Sequence, residues 1–128
     1  DPILIEQVLI NLLKNGAESI LLAERPVPQR QLELTVLPRH IDDADVVEFS
    51  VRDTGKGVPD ELLERIYEAF YSTKNEGMGI GLKLCRSIIE SHHGRIQVEN
   101  IYNGTEILGC VFSFWIPVVS PLKPADTQ

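Results

Sequence analysis

The chain has 128 residues, enough for one domain with little room for a second core. Asp and Glu number 19 against 12 Lys and Arg, and the formal net charge of -7 argues against nucleic acid as a partner, which calls for a basic stripe. At 43% hydrophobic and 24% charged residues the composition is globular, and no apolar run reaches the ~20 residues of a membrane span.

Asp1-Pro2 reads as a helix start, an N-cap acceptor followed by proline at the first helical position. It is not the basic leader of a signal peptide. A helical stripe of Ile5, Leu9, Leu12, Leu13, Gly16 and Ile20 runs to about residue 23, where Pro26 and Pro28 end it. Two alternating runs follow, Leu32, Leu34 and Val36, then Val47, Phe49 and Val51, with the acidic stretch 42–45 as a hairpin turn. A short helix is expected over 60–67 and a loop over 71–77. A second long helix is expected from near Gly79, burying Leu84, Cys85, Ile88 and Ile89, with Gly94 as its C-cap. Two further strands, 95–100 and 111–116, complete an α/β sandwich, a mostly antiparallel mixed sheet with helices on one face. Residues 1–118 form the domain, and 119–128, with Pro121 and Pro124, read as a linker or disordered tail. Cys85 and Cys110 lack metal-ligand spacing, so a reducing, cytoplasmic setting is expected, whether or not a parent protein is anchored in a membrane.

The first helix carries a polar side of Gln7, Asn11, Lys14, Asn15 and Glu18. Asparagine is a poor interior helix former, so two asparagines one turn apart need a reason. A solvated face is one. A pair of neutral oxygen ligands for Mg²⁺ is the other, because that cation takes oxygen donors and keeps substrate phosphates in its shell.

Asp53 falls by strand parity on the face of Val47, Phe49 and Val51, where a carboxylate is costly unless it is hydrogen-bonded. It either closes an Asx turn with Thr54-Gly55 or accepts a hydrogen bond from a ligand. The sequence Asp53-Thr54-Gly55-Lys56-Gly57 lets backbone approach a flat ring while one carboxylate reads an amino group. Adenine N6 fits that acceptor and the guanine carbonyl does not. Gly77-Met78-Gly79-Ile80-Gly81-Leu82 then opens an amphipathic helix, either as a hinge or as an anion site of free N–H groups. Thr73 and Lys74 just upstream suit phosphate.

This ordered set resembles the catalytic and ATP-binding domain of bacterial two-component sensor histidine kinases, in the gyrase, Hsp90, histidine kinase and MutL superfamily. The resemblance covers about residues 1–118. Asn11-Leu12-Leu13-Lys14-Asn15 is similar to the N box and residues 53–57 to the G1 box. Tyr67-Glu68-Ala69-Phe70 is similar to the F box, and residues 77–82 to the G2 box. The compact segment 71–76 is most similar to the lid of nitrogen-regulation and oxygen-sensing kinases.

The resemblance implies a Bergerat-type ATP-binding fold that holds ATP, with ADP as product, and Mg²⁺. Asn15 would coordinate the metal with Asn11 beside it, and Asn11, Asn15 and Lys74 would be the catalytic residues. Lys14, Thr73, Lys74 and the backbone of Gly77, Gly79 and Gly81 would hold phosphate. Asp53 would bind adenine N6, Gly57 would pack under the ring, and Phe70 would anchor the lid. Gly55, Val58, Tyr67, Ile80, Leu82 and Cys110 complete the implied nucleotide contacts. The γ-phosphoryl group would go to a histidine on a separate dimerisation and phosphoacceptor domain of the same protein, and from there to a response regulator. The isolated domain is expected to be a monomer that does not phosphorylate itself, since His40, His92 and His93 lack the surroundings of an acceptor. Tyr67 and Ala69 depart from the usual Phe and Pro of the F box, His93 stands where glycine is usual, and Cys110 stands where Thr or Ser is common. The alternative is a degenerate nucleotide-binding or scaffold module without transfer. A hydrolase of the gyrase or Hsp90 type fits less well, because Asn11 stands where those relatives carry a glutamate base.

Overall fold

The computed structural model describes residues 1–61, 63 and 76–118, the side chains of 76–81 excepted. The expected short helix over 60–67, the loop over 71–77 and the tail over 119–128 lie largely outside the described residues, although Asp60, Glu61 and Leu63 are helical.

Helix α1 spans Pro2–Ala23 and starts as its sequence predicts, the Asp1 carboxylate accepting from Ile3 N at 2.9 Å. Its apolar face buries Val8, Leu12, Gly16 and Ile20, and Glu24 ends it in the left-handed region at φ 58°. A short 3₁₀ turn, Val27–Gln29, carries the two prolines into the sheet.

The sheet has four strands in the order β1-β2-β4-β3, antiparallel throughout. Strands β1 (Leu32–Ile41) and β2 (Ala44–Asp53) form a hairpin whose turn is Asp42 and Asp43, both at positive φ. That pair of positive φ values suits the twist of a two-residue hairpin, and Asp is among the residues that tolerate it. β1 is an edge strand, which is why Pro38 sits in it without breaking a ladder. Its apolar row faces the same way as Val51 and Phe49, yet Leu32, Leu34 and Val36 remain 41–49% exposed. Strands β3 (Arg95–Asn103) and β4 (Glu106–Pro117) make a second, longer hairpin around Gly104, with a register shift at Ile101/Tyr102.

Helix α2 spans Glu76–Ser91, so it begins about a turn before Gly79 and takes in the whole glycine run. It buries Leu82, Cys85, Ile88 and Ile89. Leu84, expected on that stripe, is 52% exposed, and Leu82 takes the core position instead. Its C-terminus is also shifted from expectation. His93 holds the left-handed position at φ 65°, donating to the Glu90 carbonyl, while Gly94 N donates to the Ile89 carbonyl at 2.9 Å. This is a Schellman end with histidine where glycine is usual, and Gly94 follows it.

Both helices lie on one face of the sheet, and Val8 and Leu12 of α1 meet Leu82, Cys85 and Ile89 of α2 over Val51, Val98, Phe112 and Phe114. Phe49 and Phe114 stack at 4.8 Å between ring centroids. Among the described residues no helix is long and apolar enough to cross a membrane.

Candidate functional site

The site is built where β2 ends beneath α1. Pairing across the sheet puts Asp53, Cys110 and Asn100 side by side in one row on β2, β4 and β3. Asp53 is 2% exposed, the one charged residue among the buried side chains described. Its Oδ1 accepts from Gly55 N at 2.8 Å, which is the Asx turn that Asp53-Thr54-Gly55 predicts. The described residues offer no hydrogen bond to Oδ2. Burial raises the Asp53 carboxyl above its ordinary value, and the Gly55 N–H pulls the other way. Both sequence readings of Asp53 are therefore compatible, because the turn uses one oxygen and leaves the second.

Gly16 brings α1 onto this carboxylate: a Cβ there would lie 3.5 Å from Asp53 Oδ2 and 2.7 Å from Leu32. Asn15 is half-buried next to it on the helix, and its Nδ2 is shielded from water with no acceptor among the described residues. A buried amide proton without an acceptor costs about 1–3 kcal/mol, a cost that a ligand oxygen placed there would remove. Asn11 is turned toward α2, its Nδ2 donating to Cys85 Sγ at 3.7 Å while Cys85 Sγ donates to the Val8 carbonyl at 4.0 Å. Lys14 on the same side of α1 is exposed.

The loop that follows Asp53 is held from three directions. Ser19 Oγ of α1 accepts from Lys56 N at 3.1 Å. Asn100 grips Val58 at both backbone atoms, accepting from its N at 2.8 Å and donating to its carbonyl at 2.7 Å. The Tyr102 hydroxyl extends this grip by donating to Asp60 at 3.0 Å. Arg25 donates to the carbonyls of Thr54, Gly55 and Ile107 at 2.8, 3.1 and 2.8 Å. Gly57 sits at φ 76°, and a Cβ there would meet Ile107 and the Asn100 amide at 2.6 and 2.7 Å. A left-handed backbone and a crowded neighbour together require glycine.

The structure thus brings together Asp53, Gly55, Gly57, Val58 and Cys110, with Gly16 of α1 against Asp53, Asn15 next to Gly16 in the chain, and Asn11 and Leu82 at the α1–α2 contact. The backbone of Gly77, Gly79, Ile80 and Gly81 forms the first turns of α2. Tyr67, Phe70, Thr73 and Lys74 lie outside the described residues. Cys110 is buried against Asp53, and burial with the neighbouring carboxylate pushes its thiol far up, so it stays neutral. Cys85 is raised by burial as well.

Arg25, Ser19 and Asn100 are absent from the site that the sequence predicts. Asn100 had a signal: it shares a strand face with the buried Ile96 and Val98, and a polar residue on a core-facing row asks for a partner. Arg25 had none, because its acceptors are backbone carbonyls up to 82 residues away.

Comparison with known proteins gives the family and the fold. The family described as histidine kinase-, DNA gyrase B- and HSP90-like ATPase matches residues 1–120. The chain is 38% identical over 117 residues to the sensor protein FixL of Bradyrhizobium diazoefficiens, covering 91% of this chain and 21% of FixL. It is 42% identical over 125 residues to the C4-dicarboxylate transport sensor protein DctS of Rhodobacter capsulatus, covering 98% of this chain and 18% of DctS. The chain therefore spans about a fifth of these curated relatives. Among solved structures it is similar to a nucleotide-free catalytic domain of histidine kinase ThkA, with TM-score 0.68 and 37% identity over 91% of this chain and 68% of that one. It is also similar to full-length ShkA in complex with AMPPNP, with TM-score 0.59 and 27% identity over 93% of this chain and 23% of that one.

Proposed function

The chain belongs to the histidine kinase-, DNA gyrase B- and HSP90-like ATPase family, and from that premise we propose that it is the catalytic domain of a sensor histidine kinase. It binds Mg-ATP and donates the γ-phosphoryl group to a histidine on a separate dimerisation and phosphoacceptor domain, ahead of a response regulator. The observation that carries this reading is the Asp53 carboxylate: almost wholly buried, with one oxygen fixed by Gly55 N and the other left to accept from a ligand. The AMPPNP complex of the similar ShkA supports an adenine nucleotide as that ligand.

Asp53 Oδ2 accepts from the adenine N6 amine, and the backbone at Gly57 packs under the ring. Asn15 and Asn11 supply amide oxygens toward a cation, and the Asn15 N–H finds a phosphate acceptor. A cation held by these two amides would complete its shell with nucleotide oxygens and water. Mg²⁺ held by Asn15 and Asn11 would supply positive charge to screen the phosphates. Lys14, Thr73, Lys74 and the N–H groups opening α2 take the remaining phosphate oxygens. The incoming imidazole is itself the nucleophile, so this chain contributes position and charge complementarity, with no side chain asked to act as a base.

The test is phosphotransfer. The chain alone with labelled ATP is expected to stay unlabelled, whereas an added acceptor domain from the same parent protein becomes labelled at histidine. Tight Mg-ATP binding with no transfer to that acceptor would favour a nucleotide-binding scaffold instead.

A further inference from the structure

We propose that Arg25 is a positioning residue for base selection, fixing the one peptide plane that aims the Asp53 carboxylate. The proposal rests on the reading of Asp53 as the adenine acceptor. The peptide unit between Thr54 and Gly55 is bonded at both ends. Its carbonyl oxygen, on Thr54, accepts from Arg25 Nε at 2.8 Å, and its N–H, on Gly55, donates to Asp53 Oδ1 at 2.8 Å. Rotation of that plane breaks both bonds together. With the plane held, Oδ1 stays occupied by the turn and Oδ2 stays presented. With the plane released, the carboxylate is free to turn and offer either oxygen at no fixed angle.

Arg25 can do this because of where α1 stops. The left-handed residue Glu24 ends the helix and throws the chain across the loop, and Arg30 Nε ties down the Arg25 carbonyl at 2.8 Å. The guanidinium then reaches a second loop carbonyl, Gly55 at 3.1 Å, and crosses to Ile107 on β4 at 2.8 Å. Three carbonyls on two segments are within the span of a planar five-donor fork, while a lysine ammonium is a compact point charge on a flexible stem. No acidic side chain forms a salt bridge with Arg25 among the described residues. Among the described residues its side-chain hydrogen bonds are all to backbone, as suits a group that shapes a loop.

The test compares Arg25→Met and Arg25→Lys with the wild-type chain by calorimetry, using Mg-ADP and Mg-GDP, with the thermal midpoint recorded for each. The ADP-over-GDP affinity ratio is expected to fall about tenfold in Arg25→Met, the worth of one hydrogen bond to a charged group. In Arg25→Lys the fall is smaller, and Mg-GDP affinity stays at the wild-type value in both. Ile20→Val, a buried change on the same helix, lowers the midpoint without moving the ratio. Should Arg25→Met not fold, Arg25→Lys carries the test alone. An unchanged ratio, or equal weakening of both nucleotides, overturns the role of Arg25 while leaving the adenine reading intact. A wild-type chain with no preference for ADP overturns that reading and this proposal with it.

Discussion

Gly109 on β4 presses against the backbone of Asp53 on β2 so closely that a Cβ at position 109 would overlap the Asp53 carbonyl oxygen and sit 3.1 Å from Thr54 Cα. The close strand approach that places the site's carboxylate thus depends on the absence of one methyl group. Gly109→Ala is expected to cost about 1–3 kcal/mol, as overpacking does, since backbone rather than a flexible side chain would have to move. Thermal unfolding reads the loss, and nucleotide calorimetry should show weaker Mg-ADP binding because Asp53 is displaced. Wild-type values in both would mean that β2 and β4 separate freely here.

The face that α2 buries gives a second prediction. Leu82→Ala removes a side chain 3% exposed and should cost about 2–5 kcal/mol in a denaturant titration. Leu84→Ala, at 52% exposure, should stay within about 0.5 kcal/mol. The reverse order would restore the packing that periodicity alone suggests.

That contrast shows what the amino-acid sequence could and could not carry. α1 was legible because its cap and its 3.6-residue stripe agree, and Asp53 was legible because strand parity forces it inward with Phe49 and Val51. On α2 both leucines satisfy the apolar period, Leu84 one turn before Ile88 and Leu82 two turns before Ile89. Periodicity admits both, and packing against Val8 and Leu12 of α1 selects Leu82. The glycine run obscured where α2 begins, because glycine is a poor helix former by propensity. The clamps on the loop after Asp53 were least legible. Arg25 and Asn100 act on backbone groups 29 and 42 residues away, and no local pattern encodes such partners.

Burial of Asp53 has a consequence for stability. Its carboxyl is raised above the ordinary 3.8, so between that value and the raised one the folded chain holds a proton that the unfolded chain has lost. Stability from this group is therefore greatest at low pH and declines as pH rises through the folded value. Asp53→Asn removes the titration. The difference in unfolding free energy between Asp53→Asn and wild type, followed from pH 3.8 to neutrality, should shift in favour of the asparagine variant as pH rises. A flat difference would place the carboxylate in contact with water.

The same substitution tests base recognition. Asparagine at position 53 can still accept from Gly55 N through its oxygen, but it presents N–H₂ where Oδ2 was. That donor matches the guanine carbonyl and opposes the adenine amine. Asp53→Asn should lower Mg-ADP affinity about tenfold and raise Mg-GDP affinity, read by competition between the two nucleotides. Equal loss of both would mean that residue 53 holds the loop and does not read the base.

Calorimetry on the wild-type chain is the most direct test of the central claim, titrating ADP and GDP with Mg²⁺ present and then with the metal chelated. The account predicts that ADP binds, that GDP binds at least about tenfold more weakly, as one lost hydrogen bond to a charged group implies, and that chelation weakens ADP binding. Equal affinity for the two nucleotides, or ADP binding indifferent to Mg²⁺, would contradict it.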